Sequence, residues 1–214
     1  MPTNPHFILT RATINDIPYL TASFVASFNS PFRKRLCAGG PALRQWATDA
    51  TCAALADAGT YFMVVRDSTD PHRKPIASAR WVAPYTDASR PGPQEQYTRW
   101  PDFCEGWDVE LAGALFGAVA ESREREMGRR PHWFLEWLAT DEEYKGQGAA
   151  SLLLKYGCDL ADEDGVEAYL DSSPAGRGLY EKFGFVKRAE KAIPGGMGYV
   201  EWFMVRPAVG KKSV

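Results

Sequence analysis

Two hydrophobic periods run along the chain, and they alternate. Residues 7–11 alternate apolar and polar side chains well enough for a first strand. Thr13-Ile14-Asn15-Asp16 has the form of a capping box with Asp in the place of Glu. It opens a helix expected over about 16–28, burying Leu20, Phe24 and Phe28. Pro31 reads as its stop, within a polar loop over 29–40. Pro41 then starts a second helix that Gly59 ends. Residues 61–66 and 75–82 read as a hairpin whose inner face carries Phe62, Val64, Ile76 and Trp81 or their neighbours. The stretch 84–104, rich in Pro, Gly and Gln, is long for a plain loop in a compact domain. Helical period returns over 108–127, with Leu111, Ala112, Leu115, Phe116 and Val119 on one face, the charged tail 121–126 toward solvent and Gly128 as C-terminal cap.

The pattern is densest over 133–160, WFLEWLATDEEYKGQGAASLLLKYGCDL. Residues 133–140 form an apolar run rich in aromatics, the mark of a buried strand. From Ala149 the period is helical: Ala149, Leu153, Tyr156 and Leu160 make one stripe, and Ala150, Leu154, Gly157 and Ala161 the next. Between them stands Lys145-Gly146-Gln147-Gly148-Ala149-Ala150. Small residues leave only backbone at the helix mouth, where free N–H groups and the positive end of the macrodipole suit a phosphate. A short strand over 167–171 follows. A helix over 174–183 comes next, with Ser173 as cap, Pro174 at its first position and Gly184 past its end. Strands over 185–190 and 199–205 close the pattern as a hairpin around Pro194-Gly195-Gly196, and the tail from Pro207 is expected to fray.

Composition narrows the function classes. At 214 residues the chain reads as one domain over 1–214 with an insertion at about 84–131. The net charge of −2 and the mixing of acids and bases argue against nucleic acid as a partner; Arg33-Lys34-Arg35 is short enough to be a solvated loop. Cys37, Cys52, Cys104 and Cys158 are scattered, as are His6, His72 and His132, so no metal is expected, and isolated cysteines suit a reducing compartment. No apolar run approaches a membrane span and no signal-peptide core is visible, which together point to a cytoplasmic protein with no membrane partner.

A glycine loop alone is a weak sign of phosphate binding. The residues Gly-Lys-Ser/Thr of a P-loop are absent, as is a G-x-G-x-x-G after an early strand. The loop instead resembles the Arg/Gln-x-x-Gly-x-Gly/Ala motif of the GNAT superfamily of acyl-CoA N-acyltransferases, with Lys145 at the first position, Gly148 at the fourth and Ala150 at the sixth. Downstream, residues 173–185 resemble the family's Asn-x-x-Ala-x-x-Leu-Tyr-x-x-x-Gly-Phe segment, with Ser173 for Asn and Gly176 for Ala. The helix before Pro131-His132-Trp133-Phe134 further resembles fungal and actinobacterial small-molecule members. The resemblance implies an α/β (α+β) fold: a mixed, mostly antiparallel seven-stranded sheet, splayed between strands 4 and 5 and flanked by helices. It implies acetyl-CoA as cosubstrate. The backbone of Gly146, Gln147, Gly148, Ala149 and Ala150 would hold its pyrophosphate beside Lys145 and Ser173. The backbone of Leu138, Ala139 and Thr140 would pair with its pantetheine arm.

For the chemistry, Tyr180 lies where the family commonly carries a tyrosine acid, able to protonate the leaving thiolate. Spacing alone favours core packing between Leu179 and Phe183, and the surrounding motif reverses that preference. Glu136 is an acid inside an apolar strand, either the base for the attacking amine or a carboxylate paired with a buried Arg or Trp N–H. Strand parity puts it on a face with His132, Phe134 and Leu138, and His132 is the second candidate base. Asp108 and Glu110 are explained by helix capping and the dipole. Trp100 and Trp107 read as core or as an aromatic acceptor wall. The favoured function is transfer of acetyl to a small-molecule primary amine by direct attack in a ternary complex. The alternatives are a protein or peptide amine as acceptor, or an acyl-CoA sensor without turnover. The terminal hairpin leaves a homodimer open.

Overall fold

The computed structural model describes residues 4–85 and 100–210. Tyr97, most of the 84–104 connection and the last four residues therefore lie outside the described residues. Strand β1 (Phe7–Arg11) leads through a 3-10 turn into α1 (Ile17–Ala26), followed by α2 (Pro31–Leu36) and α3 (Pro41–Ala56). Strands β2 (Thr60–Asp67) and β3 (Pro75–Val82) form a hairpin; α4 (Val109–Met127), β4 (His132–Thr140) and α5 (Ala149–Asp164) follow. The chain ends with β5 (Glu167–Ser172), α6 (Arg177–Glu181), β6 (Val186–Ala192) and β7 (Val200–Arg206).

The seven strands make one sheet in the order β1-β2-β3-β4-β5-β7-β6, antiparallel throughout except for the parallel pair β4–β5. Helix α5 covers one face, where Leu153 and Leu154 pack with Trp81, Trp133, Leu135, Leu170 and Met204. The helices before β4 cover the other, over Phe62, Val64, Phe134, Tyr169 and Phe203. With both faces covered, β3 is buried at every position, so its sequence does not alternate. The β2–β3 hairpin therefore has no single inner face: Phe62 and Val64 face α1 and α3, while Ile76 and Trp81 face α5.

Local signals explain most element ends. Thr13 N–H donates to Asp16 Oδ2 at 2.8 Å, closing the capping box. Asp108 caps α4 by accepting the Leu111 N–H at 3.0 Å, and Gly128 follows its end. Three expectations are corrected. The 29–40 loop contains α2: Pro31 is the first residue of a new helix, capped by Ser30 Oγ, which accepts the Arg33 N–H at 3.2 Å. The helix after β5 starts at Arg177, because the Ser173 carbonyl takes the Gly176 N–H and turns 174–176 first; Ser173 is not its cap. Arg123, in the charged tail of α4, points inward and is only 3% exposed.

Gly157 on α5 lies directly under the Trp81 indole, whose Nε1–H donates to the Leu153 carbonyl at 3.1 Å. A Cβ at Gly157 would come within 2.0 Å of that ring. Gly157→Ala is therefore expected to lower stability by about 1–3 kcal/mol in urea unfolding. Gly178→Ala, whose methyl would meet nothing within 4 Å, is expected not to lower it.

Candidate active site

Strands β4 and β5 pair from His132↔Glu167 to Leu135↔Leu170 and then part. Beyond that point β4 keeps its ladder with β3 as far as Ala77↔Thr140, while β5 stays with β7 through Ser172↔Trp202. The β5-facing edge of residues 136–140 is thus open in the ladder, and each of these residues is partly exposed. At about 3.3 Å per residue it is long enough for an extended arm to add as a strand. Leu138, Ala139 and Thr140 lie along it.

The open edge runs toward the mouth of α5. After β4 the chain makes a 3-10 turn and the loop 145–148, and α5 returns over β3 and β4. Gly146 and Gly148 take φ of 78° and 93°, in the region that favours glycine. The first bond back into the helix is Leu152 N–H to the Gly148 carbonyl, so the amides ahead of it face outward. Gln147 is pinned at its side chain, Nε2 donating to the Glu143 carbonyl at 2.9 Å. Lys145 is exposed and ion-paired with Glu142 at 2.6 Å. Ala149 is buried and Ala150 half-buried. These residues fit a diphosphate: bare amides, a helix dipole and a nearby lysine. Ser173 follows the last residue of β5, its carbonyl already taken by Ser172 Oγ and the Gly176 N–H.

Tyr180 lies on α6, the helix that follows β5. Its ring packs in the α5-side core, edge-on to Phe185, and against the bare Cα of Gly176, where a Cβ would come within 2.7 Å of it. Burial, with the charges of Glu201 and Asp171, pushes its phenol upward, so it stays protonated and able to donate.

Glu136 is the extra residue of a β-bulge in β4: Arg80 pairs with Trp137 and Trp81 with Leu135. The bulge corrects the strand parity. Trp137 stays on the face of Phe62 and Val64, and Leu138 passes to the α5 face. Glu136 is held by Arg80 at 2.7 Å, both side chains nearly buried, and the Arg80 guanidinium lies 3.9 Å above the Trp100 ring. Leu20, Phe24, Ala50, Trp100 and Trp137 line the narrow cleft around Arg80. Trp107 is core, stacked on Phe103. His132 sits at the far end of β4 with both ring nitrogens engaged: Nε2 accepts from Arg123 Nε at 3.0 Å, leaving Nδ1–H for the Arg130 carbonyl at 2.8 Å. A ring so placed has no lone pair for an incoming amine. Cys158 is buried, which pushes its thiol up to about 11 and makes it a poor nucleophile.

Sequence reasoning missed Asp171 and Glu201. Both are acids within apolar strands, the signal that exposed Glu136. Asp171 is the first β5 residue past the last β4 pair, and its Oδ1 accepts the Tyr169 hydroxyl at 2.8 Å. Glu201, on β7, accepts the Tyr199 hydroxyl at 2.6 Å. Burial first, then the Glu201 charge, raises Asp171 to about 8.

A sheet that opens between two parallel strands beside a bare helix mouth defines the class of acyl-coenzyme transferase folds. The chain matches the model of the Acetyltransferase (GNAT) family over residues 73–185, just over half its length. It belongs to that family. Its fold is similar to a structure described as histone acetyltransferase HPA2 and related acetyltransferase from Corynebacterium glutamicum, at 20% identity and TM-score 0.61 over 97% of this chain and 99% of that one. It is similar to Arabidopsis thaliana NAA60 bound to a bisubstrate analogue (11%, TM-score 0.60, 96% and 99%). It is also similar to the C-terminal condensation domain of Ebony with beta-alanyl-dopamine (11%, TM-score 0.69, 94% and 99%). Among the described residues no helix is long and apolar enough to cross a membrane, and no cluster of metal-ligating side chains occurs.

The raised Asp171 has a consequence for stability. Its folded value lies above the ordinary aspartate value near 4, so its contribution is present below about pH 4 and is lost as pH rises through about 8. Asp171→Asn is expected to unfold at a higher temperature than the parent at pH 8, with the gap closing toward pH 4, as read by thermal melts across that range.

Proposed function

We propose that this protein moves an acetyl group from acetyl-CoA to the primary amine of a small molecule, by direct attack in a ternary complex. The observation that carries the reading is the parting of β4 and β5 after Leu135 and Leu170 beside the open mouth of α5. Acetyl-CoA supplies the acetyl group as a thioester. The amides of residues 146–150 hold the diphosphate with Lys145 beside them, and Leu138, Ala139 and Thr140 pair with the arm. Ser173 borders the same slit. Tyr180 donates its proton to the sulfur as the carbon–sulfur bond breaks. Glu136, held by Arg80, sets the charge and shape of the acceptor floor.

The cleft around Arg80, walled by α1, α3 and Trp100, supports a small acceptor with an apolar body. Ebony's bound beta-alanyl-dopamine is a small-molecule precedent on a similar fold. The peptide-amine reading draws on similarity to the NatC complex bound to Gag peptide and CoA (13% identity, TM-score 0.55, 95% and 99% coverage). The two differ in what competes for the cleft.

The test is coenzyme A binding by calorimetry beside thiol release from acetyl-CoA, with a panel of small primary amines headed by 2-phenylethylamine and a set of peptides with free amino termini. Binding with release on the small amines is the expected outcome. Release on peptides alone moves the acceptor to the protein class, and no affinity for coenzyme A sinks the reading entirely. Tyr180→Phe is expected to lower kcat by about 100-fold or more with little change in coenzyme affinity. Unchanged turnover in that variant removes Tyr180 from the reaction.

A further inference from the structure

Three carboxylates stand on neighbouring strands where the sheet opens: Glu136 on β4, Asp171 on β5 and Glu201 on β7. Their surroundings differ. Glu136 is engaged by the Arg80 guanidinium at 2.7 Å. Glu201 is 6% exposed and holds the Tyr199 hydroxyl at 2.6 Å. Asp171 takes the Tyr169 hydroxyl on Oδ1 at 2.8 Å, and the residue is partly exposed. Leu135↔Leu170 is the last pair of the β4–β5 ladder, so Glu136 and Asp171 are the next residue on each strand. Asp171 therefore sits in the crotch of the opening, with the Tyr180 phenol close enough to feel its charge.

Resting on the acetyl-transfer reading above, we propose that Asp171 is the catalytic base: it takes the proton from the acceptor's primary ammonium. The step balances. The ammonium gives one proton to the Asp171 carboxylate and becomes a neutral amine. The amine nitrogen bonds the acetyl carbon, the carbon–sulfur bond breaks, and Tyr180 protonates the sulfur. The nitrogen sheds its second proton, which restores the phenol, and Asp171 returns its own to solvent.

The electrostatic setting suits this task. Glu201 across β7 and Glu136 from β4 raise Asp171, while Arg123 from α4 and the Tyr169 hydroxyl lower it; burial outweighs them. Arg80 from β3 offsets Glu136, and Arg33 from α2 faces Glu201, beside Tyr199. A carboxylate that titrates near neutral pH is matched to a proton it must both take and release.

The test measures thiol release by the full chain over roughly pH 6 to 10, with acetyl-CoA and the amine of the panel turned over best. The parent is expected to gain kcat with pH along a limb centred near 8. Asp171→Asn is expected to lose about 100-fold or more in kcat at neutral pH, to lose that limb, to keep coenzyme A affinity, and to recover in part at high pH, where the free amine needs no base. Glu201→Gln is expected to fold and to move the limb to lower pH, because a negative charge beside Asp171 is gone. A rate and limb unchanged in Asp171→Asn overturn the assignment, and so does a limb abolished by Glu136→Gln instead. Absence of thiol release in a parent that binds coenzyme A sinks the transfer reading and the base with it. Failure of the base alone shows as a parent that turns over while Asp171→Asn matches it.

Discussion

A parallel pair of strands that stops pairing halfway is the constraint on which this structure depends. Backbone N–H and C=O groups demand partners, and a strand edge left open inside a domain is costly unless water or a ligand meets it. Here β4 follows β3 to Thr140 while β5 follows β7 to Ser172, and neither can satisfy the other after Leu135 and Leu170. The bulge at Glu136 bends β4 at the point of parting, since an added residue increases local twist. Helix α6 then carries Tyr180 into the α5-side core. The ladders to β3 and β7 on the two sides, with the bulge, hold the strands apart.

The polar groups around the opening show how an apolar sheet accommodates charge. A buried carboxylate without a partner is expensive, and a buried pair is costly to break. The chain handles its three acids by unequal means: a guanidinium for Glu136, a phenol for Glu201, a phenol and a partial opening for Asp171. Arg123 serves a separate purpose. It fills the space under α4, 4.0 Å from the Phe134 ring, and fixes His132 as a neutral strand-end residue. Aromatic rings carry the rest of the load on that face, with Trp46 stacked parallel on Trp100 at 5.4 Å and Phe24 touching Trp46, Trp100 and Trp137. That aromatic layer lines the narrow cleft around Arg80.

Elements were legible in the sequence where the signal is local. The capping box at Thr13, the Asp108 cap, the stripe on α5 and the glycine loop all follow from contacts within a few residues, and they stand where the pattern puts them. Signals broke down where a residue serves two readings. Pro31 reads as the stop of one helix but begins another, and the Ser30 hydroxyl that caps it distinguishes the two. Arg123 belongs by composition to a solvated tail and by packing to the core. Parity failed for Leu138 because a bulge inserts one residue, and nothing in a single strand's pattern marks it.

The sequence by itself determined the alternation of strands and helices, the bare helix mouth at residues 146–150 and the family motifs around Gly148 and Tyr180, since each rests on neighbours along the chain. The tertiary structure decided which acids meet. Glu136, Asp171 and Glu201 are 35 and 30 residues apart in turn along the chain, and only the strand order β4-β5-β7 sets them side by side. It also decided that Arg80 belongs to Glu136, across a β3–β4 register no periodicity encodes. The reason is physical: propensity and capping act over a turn or two of chain, while the pairing of strands and the charge of a buried site are properties of distant segments brought into contact.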